Sequence, residues 1–295
     1  MPPTASIDKN SARNSIVDNV KALPTIPHVI QRLIPLMQDE NVSIDDILSV
    51  IEFDVGISTR LLKVANSAYY GFMSRIATVR HAITVLGLRE VKSLVMGISV
   101  LDVMKELGSR AGLDYKLLWM HSVGTAMATG ILSRYVSGVS ADAAFTAALL
   151  HDIGKLPLNA LFEREYGRVL EAAGRGESIY AAEERVFGFE HGEVGGWLCS
   201  MWKLPDELAI PITYHHRTER AGSDRQLLIS VVCCANEICK SVGIGCSGRD
   251  GSGSDLTRIP GELPVSHDDL QSICNEFAGE KGKAGCFFDI MQQDG

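Results

Sequence analysis

Between residues 15 and 243 apolar side chains recur every three to four positions, and short runs of Ser, Thr, Asp, Gly and Pro interrupt them. That spacing keeps one face of an α-helix apolar, whereas a half-buried strand would alternate with a period of two, which no segment does convincingly. The pattern predicts helices over 44–51, 57–67, 78–86, 88–106, 114–135, 141–151, 178–187, 190–202, 205–216 and 224–242, joined by short connections. Ser43 with Asp46 forms a variant capping box at one start, since the hydroxyl and the carboxylate can satisfy free amides of the first turn. Gly and Ser dominate the stretch after Gly243, which is expected to be a mobile loop, and one further helix follows over Ser266–Phe277. The fold class is all-α. Residues 15–108 read as an N-terminal helical bundle, 109–243 as a second bundle beginning near Gly108–Gly112, and 244–295 as loop plus C-terminal helix.

Composition narrows the functional classes. A formal charge of -8 argues against general nucleic-acid binding, which relies on a basic face that releases counterions from phosphates. No apolar run reaches the roughly 18–20 residues of a membrane span, and Met1-Pro2-Pro3 begins no secretory leader, so a cytoplasmic protein is expected. The 7 cysteines are odd in number and lack Cys-x-x-Cys spacing, which fits buried reduced thiols. One local excess of charge stands out: over 60–92, Arg60, Lys63, Arg75, Arg80, Arg89 and Lys92 face a single acid, Glu90. Such a stretch reads as solvated helix faces or as a surface for an acidic partner.

The chemistry concentrates at the end of one apolar helix, Ala147-Ala148-Leu149-Leu150-His151-Asp152-Ile153-Gly154-Lys155. Burying an unpaired carboxylate costs several kcal/mol, while a structural zinc returns on the order of 10 kcal/mol, so a metal ion is an energetically sufficient reason for the pair. His121, His191, His215 and His216 bring to five, of 8 in the chain, the histidines within 121–216. Taken singly, each has an ordinary account as a hydrogen-bonded or half-exposed imidazole. Taken together with Asp152, they suit one or two transition metals, because imidazole prefers such ions and a carboxylate can bridge two of them. Gly192, Gly195 and Gly196 would let another backbone approach His191. Lys155 could hold an anion over the metal or be a solvated helix-end lysine. His28 and His81 are expected at the surface, and His267-Asp268 repeats the dipeptide only at a helix start, where acids favour the dipole.

The order His121, then His151-Asp152, resembles the HD superfamily of helical metal-dependent phosphohydrolases. His151 to Lys155, His191 and His215-His216 are similar to its HD-GYP branch. Departures are plain: Asn236 stands where the family's closing aspartate would fall, Leu117 where a glutamate precedes the first histidine, and Arg217–Gly222 holds no Gly-Tyr-Pro. Leu23-Pro24-Thr25-Ile26-Pro27, Phe53-Asp54-Val55-Gly56, the run Leu61 to Tyr70 and Ala82 to Gly87 resemble the HDOD domain, the HD-related output domain of bacterial signalling proteins, over about 15–243. Asn66-Ser67 within that run reads as a helix end, with Tyr69 and Tyr70 packed beneath it.

The resemblance implies an N-terminal bundle packed on an HD-like bundle, and it implies two functional classes. One is a regulatory output with a metal site, acting on a signalling protein partner or a small phosphorylated ligand. The other is a phosphohydrolase with Asp152 and Lys155 in catalytic roles, in which water activated between two cations attacks a phosphoester. In that scheme His121, His151 and Asp152, with Asn236 as a weak fourth ligand, hold one ion; Asp152, His191, His215 and His216 hold the other. Iron or manganese is the expected metal, with zinc or nickel next.

Overall fold

A computed structural model describes residue 14 and residues 28–39, 41–67, 70–108, 112–221, 225–245 and 263–279. Among them the regular structure is entirely helical. In chain order the helices are α1 (His28–Gln38), α2 (Ile44–Ile51), α3 (Val55–Ala65), α4 (Val79–Leu86), α5 (Leu88–Gly108), α6 (Tyr115–Leu132) and α7 (Ala141–Leu150). They continue as α8 (Lys155–Leu161), α9 (Glu163–Ala173), α10 (Ile179–Phe187), α11 (His191–Met201), α12 (Asp206–Tyr214), α13 (Gln226–Val242) and α14 (His267–Gly279), with a 3₁₀ turn at Thr218–Arg220. The Gly/Ser stretch over 246–262, the Leu23–Pro27 motif, Tyr69 and the last residues, 280–295, lie outside the described residues, as does 109–111 at the expected domain boundary.

Local chemistry explains most helix ends. Ser43 accepts from the Asp46 amide while the Asp46 carboxylate accepts from the Ser43 amide, completing the capping box, and these bonds hold the Asp46 carboxyl below its usual range. Asp54, Thr78, Asp114 and Ser140 cap α3, α4, α6 and α7 in the same side-chain-to-amide manner. Asn66 caps the end of α3 and does more: its side chain donates to the carbonyls of Leu62 and Ile76 and accepts from the Ile76 amide, so it pins the following loop. Tyr70 lies nearby, half-buried, and donates to Glu90.

Three helices escape the pattern reading, α1, α8 and α9. Pro35 inside α1 and Pro157 in the first turn of α8 weaken the helical signal, although proline is tolerated in a first turn, where amides are unpaired anyway. Helix α9 begins at Glu163 directly after α8, with Phe162 as the only break, so no turn residue marks its start.

Helices α6, α7 and α13 pack on one another at the centre, with Trp119, Val123, Ala144, Ala147, Ala148, Val232 and Ala235 buried along them. The alanines of α7 leave room for α6 to lie close, which brings the two site-bearing helices together. Helix α5 packs on α1–α4 on one side and on α6, α7 and α8 on the other, with Val91, Val95, Met96, Ile98 and Leu101 buried along it. The N-terminal and histidine-bearing stretches therefore share one apolar core rather than meeting at a polar interface.

The turn from α7 to α8 seats against α11. A Cβ on Gly154 would collide with the His191 carbonyl and lie 2.7 Å from the Gly195 amide, both backbone atoms that cannot swing away. Gly154→Ala is expected to lower the unfolding free energy by about 1–3 kcal/mol in urea titration. Gly130→Ala, in an open position on α6, is expected to be neutral or stabilising by about 0.5–1 kcal/mol.

Candidate metal centre

Each sequence-predicted donor sits at a helix position that the packing converges. His121 lies midway along α6, His151 caps the end of α7, and Asp152 opens the turn into α8. His191 starts α11, His215 and His216 follow the last turn of α12, and Asn236 lies on α13. Asp152 is the hub. Its Oδ1 is 3.0 Å from His191 Nε2 and 4.0 Å from His215 Nε2, while its Oδ2 is 3.5 Å from His151 Nε2 and 3.8 Å from His121 Nε2. The donors fall into two groups, each tight enough to surround one ion: His121, His151 and Asp152, and Asp152, His191, His215 and His216. Asn236 Oδ1 is 3.0 Å from His121 Nε2, beside the first group.

Two of the imidazoles, His151 and His215, are held in the tautomer that leaves Nε2 available to a metal. His151 Nδ1 lies 2.6 Å from the Ala148 carbonyl and His215 Nδ1 lies 2.8 Å from the Ile212 carbonyl. A carbonyl can only accept, so each Nδ1 carries the proton and each Nε2 presents a lone pair. Both Nε2 atoms are buried and have no hydrogen-bond partner, and both face Asp152. Fixing the remote nitrogen on a carbonyl is what orients histidine ligands. The donor set thus fits a transition-metal cation, by orphaned nitrogens as well as by residue type.

His191 is held differently. Its Nδ1 donates to Glu183 Oε2 at 2.6 Å and its backbone amide donates to the same oxygen at 2.9 Å, while Tyr166 donates to Glu183 Oε1 at 3.2 Å. Glycines bring α11 against α12: a Cβ on Gly192 would lie 2.7 Å from the Thr213 carbonyl, and one on Gly196 would strike the Thr213 hydroxyl. This close crossing sets His191 beside His215 and His216. His216 is the one half-buried histidine of the set, and Tyr180 stacks on it at 4.7 Å between ring centres.

Charge in the site follows from burial and neighbours. Burial alone would raise the Asp152 carboxyl, but His151 and Lys155 hold it well below the carboxylate range. Burial pushes His151 down to about 3 and takes His215 and His216 well below the usual imidazole value, the last two helped by neighbouring histidines. Burial opposes protonation of His191 too, yet Glu183 and the Asp152 hydrogen bond raise it to about 9. Glu190, next to His191, is raised to about 7 by burial.

Lys155 is not solvated. It is buried, and its Nζ donates to Asp152 Oδ2 at 2.7 Å. Leu117 is an exposed residue on α6. His28, His81 and His267-Asp268 are at the surface, and the Ser266/Asp269 pair caps α14. Glu183 and Glu190 escape the sequence reading. A signal for Glu183 exists, because Ile179, Ala182 and Phe187 make one buried stripe of α10 and Glu183 shares it. Glu190 precedes the helix as a loop residue, where no period applies.

The HDOD domain pattern matches residues 23–218, two thirds of the sequence. The chain belongs to the HDOD family. A protein from Treponema pallidum, itself uncharacterised, is 26% identical over 228 residues, which are 75% of this chain and 43% of that one; the chain spans less than half of its relative. Solved structures share the HDOD fold. An HDOD domain protein from Geobacter sulfurreducens aligns with a TM-score of 0.77 at 23% identity, over 96% of this chain and 99% of that one. A protein from Marinobacter aquaeolei, provisionally named for signal transduction, gives 0.79 at 21% identity, over 98% of this chain and 68% of that one. One from Shewanella amazonensis, provisionally named a phosphohydrolase, gives 0.73 at 21% identity, over 94% and 98%.

Glu183 supports His191 through a buried carboxylate, so its neutralisation is expected to cost stability before any metal is added. In metal-stripped protein, Glu183→Gln should lower the unfolding free energy by about 1–3 kcal/mol, and Tyr166→Phe by about 0.5–1.5 kcal/mol, both read from urea titrations.

Proposed function

We propose that this HDOD chain is a regulatory output module of signal transduction, in which a buried metal centre organises the histidine-bearing helices and binding of a protein or small ligand carries the signal. The observation that carries this reading is the closure of the site. His121, His151, Asp152, His191 and His215 are each no more than 3% exposed. A catalytic metal keeps an open position for water or substrate, whereas a structural or sensory one is surrounded by the protein. The only donor near the surface, His216, lies against Tyr180, whose ring also has Arg217 over it at 5.7 Å. His121, His151 and Asp152 would hold one ion, with Asn236 as a neutral neighbour; Asp152, His191, His215 and His216 would hold a second. Iron or manganese fits this mixture of imidazole and carboxylate, and zinc or nickel fits the imidazole-rich group.

One observation favours a second reading, a phosphohydrolase: Asp152 belongs to both donor groups, the arrangement of a carboxylate shared by two cations. Such a pair supplies Lewis acidity and lowers the pKa of bound water. The chain's own contribution would be limited. Lys155, the cation that could steady a phosphate, is committed to Asp152, and Asn236 adds no negative charge.

Elemental analysis after anaerobic reconstitution with iron or manganese is expected to show at least one bound metal per chain. His151→Ala should remove it, and Asn236→Asp should raise occupancy in the His121 group by supplying an anionic ligand. The loaded protein is expected to leave a generic diester, bis(p-nitrophenyl) phosphate, at its background rate of hydrolysis. Turnover that disappears in His151→Ala would establish the second reading instead, and a chain that binds no transition metal would overturn both.

A further inference from the structure

Among the described residues, the donor set of the metal centre approaches the surface at one side chain. His121, His151, Asp152, His191 and His215 are buried, and His216 alone is partly exposed. The shortest way between solvent and the centre therefore runs past His216, whose Nε2 lies 3.1 Å from His191 Nε2. That imidazole is covered on one face. The Tyr180 ring stacks on it, with ring centres 4.7 Å apart and planes inclined by 20°. Two nearly parallel rings at that separation leave no room for water between them.

A second contact holds Tyr180 in place. Arg217, the residue after His216, sets its guanidinium 5.7 Å from the centre of the Tyr180 ring, within cation–π range. The same guanidinium pairs with Glu184, one turn beyond Tyr180 on α10. Helix α10 and the segment after α12 are thus joined by a ring contact and by an ion pair beside the half-buried donor. Tyr180, Glu184 and Arg217 are all partly exposed, whereas the buried stripe of α10 is Ile179, Ala182, Glu183 and Phe187. A rotamer change can move such a ring while the helices stay packed.

We propose that Tyr180 is the gate of the metal centre and that the Arg217–Glu184 ion pair is its latch. The gate sets how fast an ion enters and leaves, and the donors set how tightly it is held. Neither Tyr180 nor Glu184 belongs to a donor group, so removing either leaves the ligands in place. A closed approach raises the barriers to entry and exit together, which slows both rates and leaves their ratio, the affinity, unchanged. The passage of ions rests on the metal-centre reading; the shielding of His216 does not.

Two experiments on the full chain keep these apart. In chelator-stripped protein, modification of His216 by diethyl pyrocarbonate is followed by peptide mass spectrometry, with the exposed His81 as internal reference. Tyr180→Ala is expected to raise the His216 rate at least about tenfold and Glu184→Ala at least about threefold, while Tyr180→Phe, which keeps the ring, stays near wild type. Glu184 has a partly exposed side chain, so its variant serves even where Tyr180→Ala disturbs folding. In manganese-loaded protein, release of the metal into excess EDTA should accelerate about tenfold in Tyr180→Ala and about threefold in Glu184→Ala, with the dissociation constant changed less than about threefold. His216 labelling at the wild-type rate in both variants would overturn the gate. Faster labelling with unchanged metal release would place the ion's route elsewhere and overturn it too, and release accelerated only in proportion to lost affinity would make Tyr180 a support for His216 instead. A chain that takes up no manganese or iron overturns the metal centre and the gate with it, whereas normal uptake with unaltered release overturns the gate alone.

Discussion

The carboxylate of Asp152 is the constraint around which the histidine-bearing half is arranged. A charge 1% exposed would be prohibitive alone, and every neighbouring element contributes something that offsets it. Helix α8 begins with Lys155, which bonds it directly; α11 begins with His191, which bonds its other oxygen; α6, α7 and α12 each send one imidazole toward it. These helices are far apart in sequence, and the glycines at 154, 192 and 196 permit the close backbone approaches that bring them within reach. Core packing and site geometry are thus one problem here, since a helix displaced to accommodate a Cβ would carry a donor away with it.

How much of this was legible in the chain depends on whether a residue's role is written locally. The helical period placed α2–α7 and α10–α13 because each buries a stripe of apolar residues on its own, and Ser43-Asp46 announced a helix start through bonds within four residues. The donor histidines were legible because ionisable groups amid apolar runs need an explanation wherever they fold. Of the two roles open to Lys155, the solvated one is removed by its burial, which depends on packing between helices distant in sequence. For Glu183 the apolar stripe it shares with Ile179, Ala182 and Phe187 marks an inward position, but its role is not local, because its partners His191 and Tyr166 lie on α11 and α9.

The same distinction applies to the basic stretch over 60–92. As a run of charges it suggests a face for an acidic partner, but the fold spends much of it internally. Arg60 makes a two-point bond to Asp102 at 2.6 and 2.7 Å, Arg80 pairs with Asp45, and Lys92, nearly buried, donates to the Leu36 carbonyl near Asp142. The Arg60 pair clasps α3 to α5, and Lys92 ties α5 to the end of α1 with its head toward α7. Arg60 and Lys92 thus fasten α3 and α1 to the helix that both halves share, whereas Arg80 and Asp45 form a surface pair between α4 and α2.

The chain's own groups already compensate the buried Asp152 carboxylate. Without a cation, the carboxylate still faces two positive groups, Lys155 and a His191 kept protonated by Glu183, while His151 and His215 stay neutral. A proton and an ammonium therefore balance the buried charge that a metal would otherwise balance. A cation held at His191 Nε2 would displace its proton, because a metal ligand offers a lone pair, and Glu183 would continue to hold Nδ1. Metal binding at this centre would then exchange one compensation of the buried carboxylate for another.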